Sequence, residues 1–454
     1  MTDSARPILF VSSPEAGLLN PMLVIAGELA RRGTPDLYFA TDDNRRPDIE
    51  AIAGAHPVRF VSLGPVIPEL SAVTWNDRIY RKVTQRSRWK ALRAVALHTF
   101  DPNLPTPKYL ALDAAVEKIR PALMVIDNIS GFAVRTAITR KIPYVLSAPF
   151  MPSNVLFHQL PRGYPRPNSG LPRRMTFPQR LANIMFRLNM MSLFVHPRMI
   201  SMFARFARTR RQLGAAPEAN KPSAKARMAE MILCHSVRGL DYPIPLPDKM
   251  RLLGAMIPPL PESDPGADAG LSAWLGDHDP IVYMGFGTIT RLTRDQVHAL
   301  VEVARRLDGR CHILWKLPKE QQSSLPDADG LPDNLRIEHW VPSQMDVLAH
   351  RNVKVFVNHG GGNGLHEGLY FGKPLLTRPL WVDCYDQAVR AEDAGVSLTL
   401  DSQVVDVEDM VCKISRLLAE DSFRRRAELF RADQLAAGGR QTAGDLIVDL
   451  LAVR

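Results

Sequence analysis

Cysteine is scarce in this chain of 454 residues, and the four that are present form no CxxC pair. They are spread widely along the sequence, at Cys234, Cys311, Cys384 and Cys412. This spacing argues against a disulfide framework or a cysteine-based zinc site. It predicts ordinary reduced thiols in a cytoplasmic protein.

Long apolar runs are also lacking. No stretch reaches the roughly 20 apolar residues of a membrane-spanning helix. Met1 to Pro7 lead directly into an apolar strand, without the basic segment and apolar core of a secretory signal. With 46% hydrophobic and 23% charged residues, the composition predicts a globular protein, and the length suits two domains. The net charge of +10 favours anionic ligands.

Short apolar strands alternate with helical patterns in two parts of the chain. Pro14–Asn20 is predicted to be a turn and Pro21–Arg32 a helix. Strand, helix and strand at this spacing predict parallel sheets that bind ligands at the carboxyl ends of their strands. The predicted strands are Ile8–Ser12, Asp36–Ala40, Ala122–Ile126, Ile142–Ser147, Met231–His235, Ile281–Met284, His312–Lys316, Arg336–Glu338, Val353–Val357 and Pro374–Thr377.

The pattern predicts an α/β protein with two domains that face each other across a cleft. The N-terminal domain covers residues 1–250. A linker rich in Pro, Asp and Gly follows at 257–270, and the second domain covers 271–430.

A glycine-rich segment in the second domain joins a buried strand to a helix. It reads His359-Gly360-Gly361-Gly362-Asn363-Gly364-Leu365-His366-Glu367. The amides at a helix start, approached closely by glycine backbone, form an anion site. His359 stands at the strand end, where it can donate to a phosphate, and Glu367 lies one turn into the helix, where it can accept from ribose hydroxyls.

Two other features are weaker alone. Gly285-Phe286-Gly287-Thr288 follows a strand and offers the Thr288 hydroxyl to a phosphate, but it lacks the third glycine of a dinucleotide fingerprint. A nicotinamide-dependent oxidoreductase is therefore a distant alternative. Trp340, just past a strand, offers a face for stacking a base, although packing is the commoner role of such a residue.

Together these residues resemble the donor-binding half of a family 1, UDP-sugar-dependent glycosyltransferase, which has two Rossmann-like domains (the GT-B fold). The family's signature includes a tryptophan, His-x-Gly-x-Asn-(Ser/Gly)-x-x-Glu, and Pro-x-x-x-Asp-Gln. Residues that fit it are Trp340, His359, Gly361, Asn363, Gly364, Glu367 and Pro379 to Asp383. The resemblance also implies a final helix, within 431–454, that crosses back to the N-terminal domain.

The resemblance implies a role for each donor-site residue. Trp340 would stack on uracil, Glu367 would bind the ribose, and Asp383 would hold sugar hydroxyls. The diphosphate would be bound by Thr288, His359, Asn363 and Gly364. Trp340-Val341-Pro342-Ser343-Gln344 is one residue longer than the family's motif, so Ser343 and Gln344 compete for the glutamine's place.

Cys384 follows Asp383 where many family members have glutamine. The run from Asp383 to Arg390 is similar to the form common in fungal members, and glucose is the expected donor sugar. No cofactor or metal is expected, because in the family the loop at His359 neutralises the diphosphate. Asp327-Ala328-Asp329 matches a metal motif only formally.

The catalytic base is the main departure from the family. Family members usually have Gly-His-x-x-Pro in the first strand-to-helix loop, but here the loop reads Gly17-Leu18-Leu19-Asn20-Pro21. Leu18 cannot accept a proton. Asp127, which matches the carboxylate that orients the histidine, or Glu15 could act as the base directly. Alternatively His98 or His158 fills the gap, or transfer is weak or lost.

Residues 173–206 interleave Arg with Phe, Met, Leu and Ile. This pattern predicts the wall of an apolar acceptor pocket, and it is compatible with peripheral membrane association. The basic segments Arg78–Arg93 and Arg198–Arg211 lack any nucleic-acid recognition motif, so no nucleic-acid partner is expected.

The sequence therefore predicts an inverting transferase that moves a sugar from a UDP-sugar to a hydroxyl of a lipophilic small molecule, such as a phenol, sterol or hydroxylated lipid. The alternative is a UDP-sugar-binding protein of the same fold without efficient catalysis.

Overall fold

The computed structural model describes residues 6–99, 101–221, 223–261, 269–327 and 330–453. Its first half alternates strands and helices. The elements are β1 Ile8–Val11, α1 Ala16–Arg31, β2 Leu37–Thr41, α2 Arg46–Glu50, β3 Arg59–Ser62, α3 Asp77–Val83, α4 Arg88–His98, α5 Thr106–Ile119, β4 Leu123–Asp127, α6 Gly131–Arg140, β5 Tyr144–Ala148, α7 Pro152–Val155, α8 Phe177–Ser192, α9 Pro197–Gln212, α10 Ala224–Met228, β6 Met231–Cys234 and β7 Met250–Leu252.

The second half repeats the alternation. Its elements are α11 Ala269–Asp277, β8 Ile281–Gly285, α12 Arg294–Arg306, β9 His312–Lys316, α13 Lys319–Gln322, β10 Leu335–Glu338, α14 Gln344–Ala349, β11 Val353–Asn358, α15 Gly362–Tyr370, β12 Leu375–Thr377, α16 Asp383–Asp393, β13 Ser397–Thr399, α17 Val407–Ala419, α18 Asp421–Ala436 and α19 Gly439–Ala452.

Each half is built on one parallel sheet. The first has the order β3-β2-β1-β4-β5-β6-β7, and the second has the order β10-β9-β8-β11-β12-β13. Every residue of β1, β4, β5 and β8 is buried. Helices that cover both faces of a parallel sheet require such continuous apolar strands. The predicted α/β class and the two Rossmann-like halves are confirmed.

The strand order reverses at a corresponding position in each sheet, and the candidate site residues follow the strands on either side of it. In the first sheet the order reverses between β1 and β4, and in the second it reverses between β8 and β11. Ligands of open α/β sheets bind in the crevice outside the carboxyl ends of the strands at such a reversal. The loops that follow β1, β4, β8 and β11 contain Glu15, Asn128, Thr288 and His359.

The predicted turn at residues 14–20 is wrong, because α1 begins at Ala16 and includes Pro21. Proline inside a helix removes one N–H and pushes away the carbonyl four residues earlier. That carbonyl belongs to Gly17, and it accepts a hydrogen bond of 3.2 Å from Nδ2 of Asn363 in the other half. The cost of the internal proline is thus offset by a contact across the cleft.

The last helix, α19, packs on the first half. Ala443 and Ile447 are buried in the same apolar cluster as Ile25 of α1. Arg32, just after α1, forms an ion pair of 2.5 Å with Asp445 and donates to the carbonyl of Gln441 at 2.9 Å. The chain therefore crosses between the halves twice.

Part of the predicted linker, residues 262–268, lies outside the described residues, as do residues 328 and 329 of the formal metal motif. Among the described helices, none has the length and apolar content needed to cross a bilayer.

A buried cation joins the two halves. Arg390 of α16 is 1% exposed, and its Nε donates to Oδ1 of Asp241, from the first half, at 2.7 Å. Its Nη1 lies 3.6 Å from Oδ1 of Asp386, a buried carboxylate one turn earlier in α16. Asp386 also accepts hydrogen bonds from the amides of Asn168 and Gly170, at 2.6 and 2.8 Å. The loop at 168–170 is thereby fixed to α16.

Replacing Arg390 by methionine should destabilise the protein by about 3–5 kcal/mol, because Asp241 and Asp386 would remain buried without a counter-charge. Chemical denaturation followed by circular dichroism measures this loss. Arg424→Met is the matched control, since Arg424 pairs with Asp421 on the exposed face of α18, where a pair contributes about 0–1 kcal/mol. Equal effects of the two substitutions would contradict a structural role for the buried cation.

Candidate functional site

The glycine-rich loop ends in an uncapped helix start. No side chain caps α15, whose N-cap is Gly361, and the amides of its first turn have no acceptor within the helix. Helix starts of this kind attract anions, because the amides and the helix dipole both favour negative charge. The loop faces a continuous cavity of about 2860 Å³ that runs between the two halves.

The imidazole of His359 is held between two glycines. A Cβ on Gly361 would lie 2.5 Å from its Nε2, and a Cβ on Gly287 would lie 2.5 Å from its Cε1. Burial lowers the pKa of His359 to about 4, so the ring is neutral near pH 7. Its Nδ1 is buried without a hydrogen-bond partner among the described residues. A neutral imidazole with unused hydrogen-bonding capacity suits an incoming phosphate oxygen.

Gln344 lies beside Glu367, the carboxylate that is expected to bind the ribose. Its Nε2 donates to Oε2 of Glu367 at 2.6 Å, while its Oε1 accepts from the hydroxyl of Tyr283 at 3.2 Å. Ser343 also borders the cavity, but its hydroxyl caps α14 by accepting from the amide of Asp346 at 3.0 Å. Of the two residues that compete in the sequence, Gln344 donates to Glu367, and the Ser343 hydroxyl caps α14.

Trp340 offers an open aromatic surface at the cavity wall. Its side chain is 58% exposed, and the ammonium of Lys316 lies 4.5 Å from its ring centroid. Burial lowers the pKa of Lys316, which also feels the charge of Glu367. No sequence motif marks Lys316, although it ends β9 at the edge of the sheet where ligands are expected to bind.

Asp383 begins α16 directly after a strained residue. Val382 has a φ of 32°, a left-handed conformation that is costly for a β-branched side chain. Burial raises the pKa of Asp383 to about 6, and Gln387 donates to its Oδ2 at 3.1 Å. Cys384 is buried beside Tyr80 and Leu380, and burial raises the pKa of its thiol. Asp383 is thus a positioned acceptor at the cavity.

Asp127 is fully buried, and both of its oxygens are engaged. Oδ1 accepts from the amides of Ile129 and Ser130, at 2.6 and 2.8 Å. Oδ2 accepts from the amide of Ser13 at 2.6 Å and from the hydroxyl of Ser130 at 2.8 Å. These four hydrogen bonds occupy the roughly four lone-pair positions that an ionised carboxylate offers. This geometry favours a positioning role for Asp127, which ties together the loops after β1 and β4.

Glu15 borders the cavity at the start of α1, one turn before Leu18. Burial raises the pKa of its carboxyl, although Ser71 and Ala72 donate hydrogen bonds to it. Leu18 also borders the cavity and is 8% exposed, so the family's usual histidine position does face this space. A carboxylate with a raised pKa is better suited to accept a proton near neutral pH.

The two alternative histidines differ in position. His158 borders the cavity and packs against Phe157, with ring centroids 3.6 Å apart. His98 ends α4 and is not among the described residues that border the cavity. Burial lowers the pKa of both imidazoles. Thr288, Asn363 and Gly364 border the cavity beside His359.

Among the described residues, no group of three or more His, Cys, Asp and Glu side chains is arranged to hold a metal ion. The polar side chains that border the donor end of the cavity include Thr288, Gln344, His359 and Asp383, which follow β8, β10, β11 and β12.

Residues 108–431 match the model of the family described as UDP-glucoronosyl and UDP-glucosyl transferase. The chain is 23% identical to UDP-glycosyltransferase stmC of Aspergillus ustus, over 95% of this chain and 83% of that protein. It is 29% identical to UDP-glycosyltransferase 1 of Phaeomoniella chlamydospora, over 53% of this chain. The match spans only 50% of that relative's length.

Human 2-hydroxyacylsphingosine 1-beta-galactosyltransferase is 25% identical over 70% of this chain and 57% of its own length. Among solved structures, the glycotransferase of kitacinnamycin has a TM-score of 0.67 at 21% identity, covering 98% of this chain and 99% of that one. UDP-glucose: anthocyanidin 3-O-glucosyltransferase in complex with UDP has a TM-score of 0.65 at 16% identity, covering 100% of both chains. At these identities the structures show the shared two-domain fold.

Gly361→Ala should weaken UDP binding about tenfold or more. The Cβ of the new alanine would displace the His359 ring, and the ring would lose the hydrogen bond that we expect it to make to the charged diphosphate. Isothermal titration calorimetry with UDP measures this change. Gly276→Ala in α11 is the matched control, since nothing lies within 4 Å of its added Cβ. Unchanged affinity in Gly361→Ala would show that the diphosphate does not depend on His359.

Proposed function

The chain belongs to the UDP-glucoronosyl and UDP-glucosyl transferase family, and we propose that it transfers a sugar from a UDP-sugar to a hydroxyl of a lipophilic small molecule. The observation on which this depends most is the glycine-bordered, neutral His359 beside the uncapped start of α15. That arrangement suits a diphosphate leaving group. We propose glucose as the donor sugar and inversion at its anomeric carbon.

The donor would lie along the edge of the second sheet. Uracil would stack on Trp340, the ribose hydroxyls would donate to Glu367, and the sugar hydroxyls would donate to Asp383. The hydrogen bond from Gln344 orients Glu367 at 2.6 Å. His359, Thr288 and the amides of Asn363 and Gly364 would stabilise the charge that develops on UDP as it leaves.

In the transfer step, the acceptor oxygen attacks the anomeric carbon from the face opposite the diphosphate. The bond between that carbon and the diphosphate oxygen breaks, and its electron pair leaves with UDP. We assign the acceptor's proton to Glu15, because its carboxyl borders the cavity and has a raised pKa. Asp127 would hold the Glu15 loop in place through Ser13.

The acceptor end of the cavity supports a lipophilic substrate. Apolar side chains that border it include Leu18, Ile184, Met190, Met191 and Phe194. A phenol, sterol or hydroxylated lipid would bury its apolar body here. The alternative function, binding of a UDP-sugar without efficient transfer, rests on Leu18 in place of the usual histidine.

Incubation with UDP-glucose and a panel of phenolic and hydroxylated-lipid acceptors should yield a β-glucoside and free UDP, measured by mass spectrometry. Tight UDP binding without glycoside or UDP release would favour the alternative.

Glu15→Gln should lower kcat about 10²–10⁴-fold and remove the loss of activity at acidic pH, since a base with a raised pKa is protonated first as the pH falls. Glu50→Gln on α2 is the control carboxylate, and full kcat in Glu15→Gln would exclude Glu15 as the base.

We also propose that α8 and α9 contact an anionic lipid surface. Apolar side chains on these helices and on the segment between them point to solvent, with Phe177 80% and Val195 73% exposed. Exposed arginines at 198, 208 and 211 accompany them. An exposed apolar patch with basic residues around it is typical of helices that lie in a membrane interface.

The double substitution Phe177→Ser and Val195→Ser should lower co-sedimentation with phosphatidylserine-containing vesicles several-fold, because it removes apolar surface that would enter the interface. Val404→Ser, at an exposed valine in the other half, is the control. Equal binding of wild type and double variant, or equal binding to purely zwitterionic vesicles, would contradict the proposal.

A further inference from the structure

The acceptor end of the cavity contains arginines without carboxylate partners. Six of them border this space, on the loop before α8 and on α8 itself: Arg162, Arg166, Arg173, Arg174, Arg180 and Arg187. Within the described residues none of the six forms an ion pair, whereas many other arginines of the chain do.

The carboxylates that border the same cavity lie on other elements. Glu15 occupies the N-cap position of α1, Asp48 lies in α2, Glu367 in α15 and Asp383 at the start of α16. Each has its own partner or role: Asp48 pairs with Arg45 at 3.2 Å, and Glu367 and Asp383 accept from glutamine side chains. The protein therefore supplies positive charge at one end of the cavity without the negative charge to balance it.

The backbone of Arg166 is held against α8, one helical turn from Arg187. The amide of Arg166 donates to Oδ1 of Asn183 at 2.8 Å, and Nδ2 of Asn183 donates to the carbonyl of Tyr164 at 3.1 Å. Asn183 thus fixes the Arg166 loop on α8. Arg187 lies four residues after Asn183, on the same face of the helix. Burial and the nearby charge of Arg187 both lower the pKa of Arg166.

Apolar side chains adjoin this pair. Ile184 and Met191 of α8 border the cavity beside Arg187, and Phe186 is buried behind them. A ligand that fits both features has a hydrocarbon body and one anionic group. Guanidinium groups bind carboxylates through charge-assisted hydrogen bonds, which are stronger than neutral ones.

We propose that the acceptor is an amphipathic hydroxylated acid: its carboxylate binds between Arg166 and Arg187, its hydrocarbon chain lies along α8, and its hydroxyl reaches Glu15. This assignment rests on the proposed transferase function. The charge of +10 on the whole chain would also speed the encounter with an anionic substrate.

The test compares two acceptors that differ only in charge: a medium-chain ω-hydroxy fatty acid and its methyl ester. Calorimetric titration into the UDP-saturated protein gives the binding constants, and glycoside formation gives kcat/KM. We expect the acid to bind about tenfold more tightly than the ester, and this preference should weaken at high salt.

The variants locate the anion. Arg166→Gln combined with Arg187→Gln should abolish the preference for the acid and leave ester binding unchanged, while the corresponding double lysine variant should restore part of it. Arg425→Gln, on an exposed face of α18, is the control and should keep the preference. Circular dichroism confirms that each variant is folded.

Two results would overturn the inference: equal binding of acid and ester to the wild type, or a preference for the acid that survives the double glutamine substitution. Because binding is measured apart from turnover, acid-selective binding without any glycoside would support the inference while contradicting the transferase proposal.

Discussion

The charge of Arg390 is the constraint on which the relation between the two halves depends. A fully buried guanidinium is tolerated only where carboxylates balance it, and here one carboxylate, Asp241, comes from the first half. The other, Asp386, also holds the backbone of residues 168 and 170. The helix that begins with the proposed sugar ligand Asp383 is thereby fixed to the loop that leads into the acceptor wall. Donor and acceptor ends cannot shift independently without exposing or unpairing this charge.

Close backbone contacts complete the alignment of the cleft. A Cβ on Gly362, at the start of α15, would lie 2.4 Å from the carbonyl of Pro149 in the first half, so only glycine permits this approach. The carbonyl of Gly17, left without a helical partner by Pro21, accepts from Asn363. The segment that would bind the diphosphate is therefore in contact with the first half at the start of α1 and in the loop after β5. In the proposed function, these few atoms would couple the binding of the diphosphate to the placement of the acceptor.

Much of the fold could be predicted because buried parallel strands are continuous apolar runs, as in β1 and β4. Three strands do not follow from the sequence pattern. β3 is partly exposed at a sheet edge and contains Arg59, and β7 and β13 have only three residues each. The sequence predicts a helix start at Pro21, whereas in the structure the carbonyl that Pro21 leaves without a partner accepts from Asn363, more than 300 positions away in the sequence. The donor residues were found since their spacing is local, whereas Lys316 and Tyr283 reach the site from other strands and leave no motif.

The identity of the catalytic base also depends on contacts that sequence spacing does not reveal. The family pattern made Asp127 the obvious carboxylate once Leu18 had replaced the usual histidine, yet spacing cannot reveal how many donors surround an oxygen. With four hydrogen bonds at 2.6 to 2.8 Å, protonating Asp127 would break contacts that hold Ser13 and Ser130. Glu15 lies in the loop that Ser13 begins, and it borders the cavity with a raised pKa. With Leu18 at this position, we propose that Asp127 has a structural role and that the acceptor's proton passes to Glu15, the cavity carboxylate whose loop Asp127 holds in place.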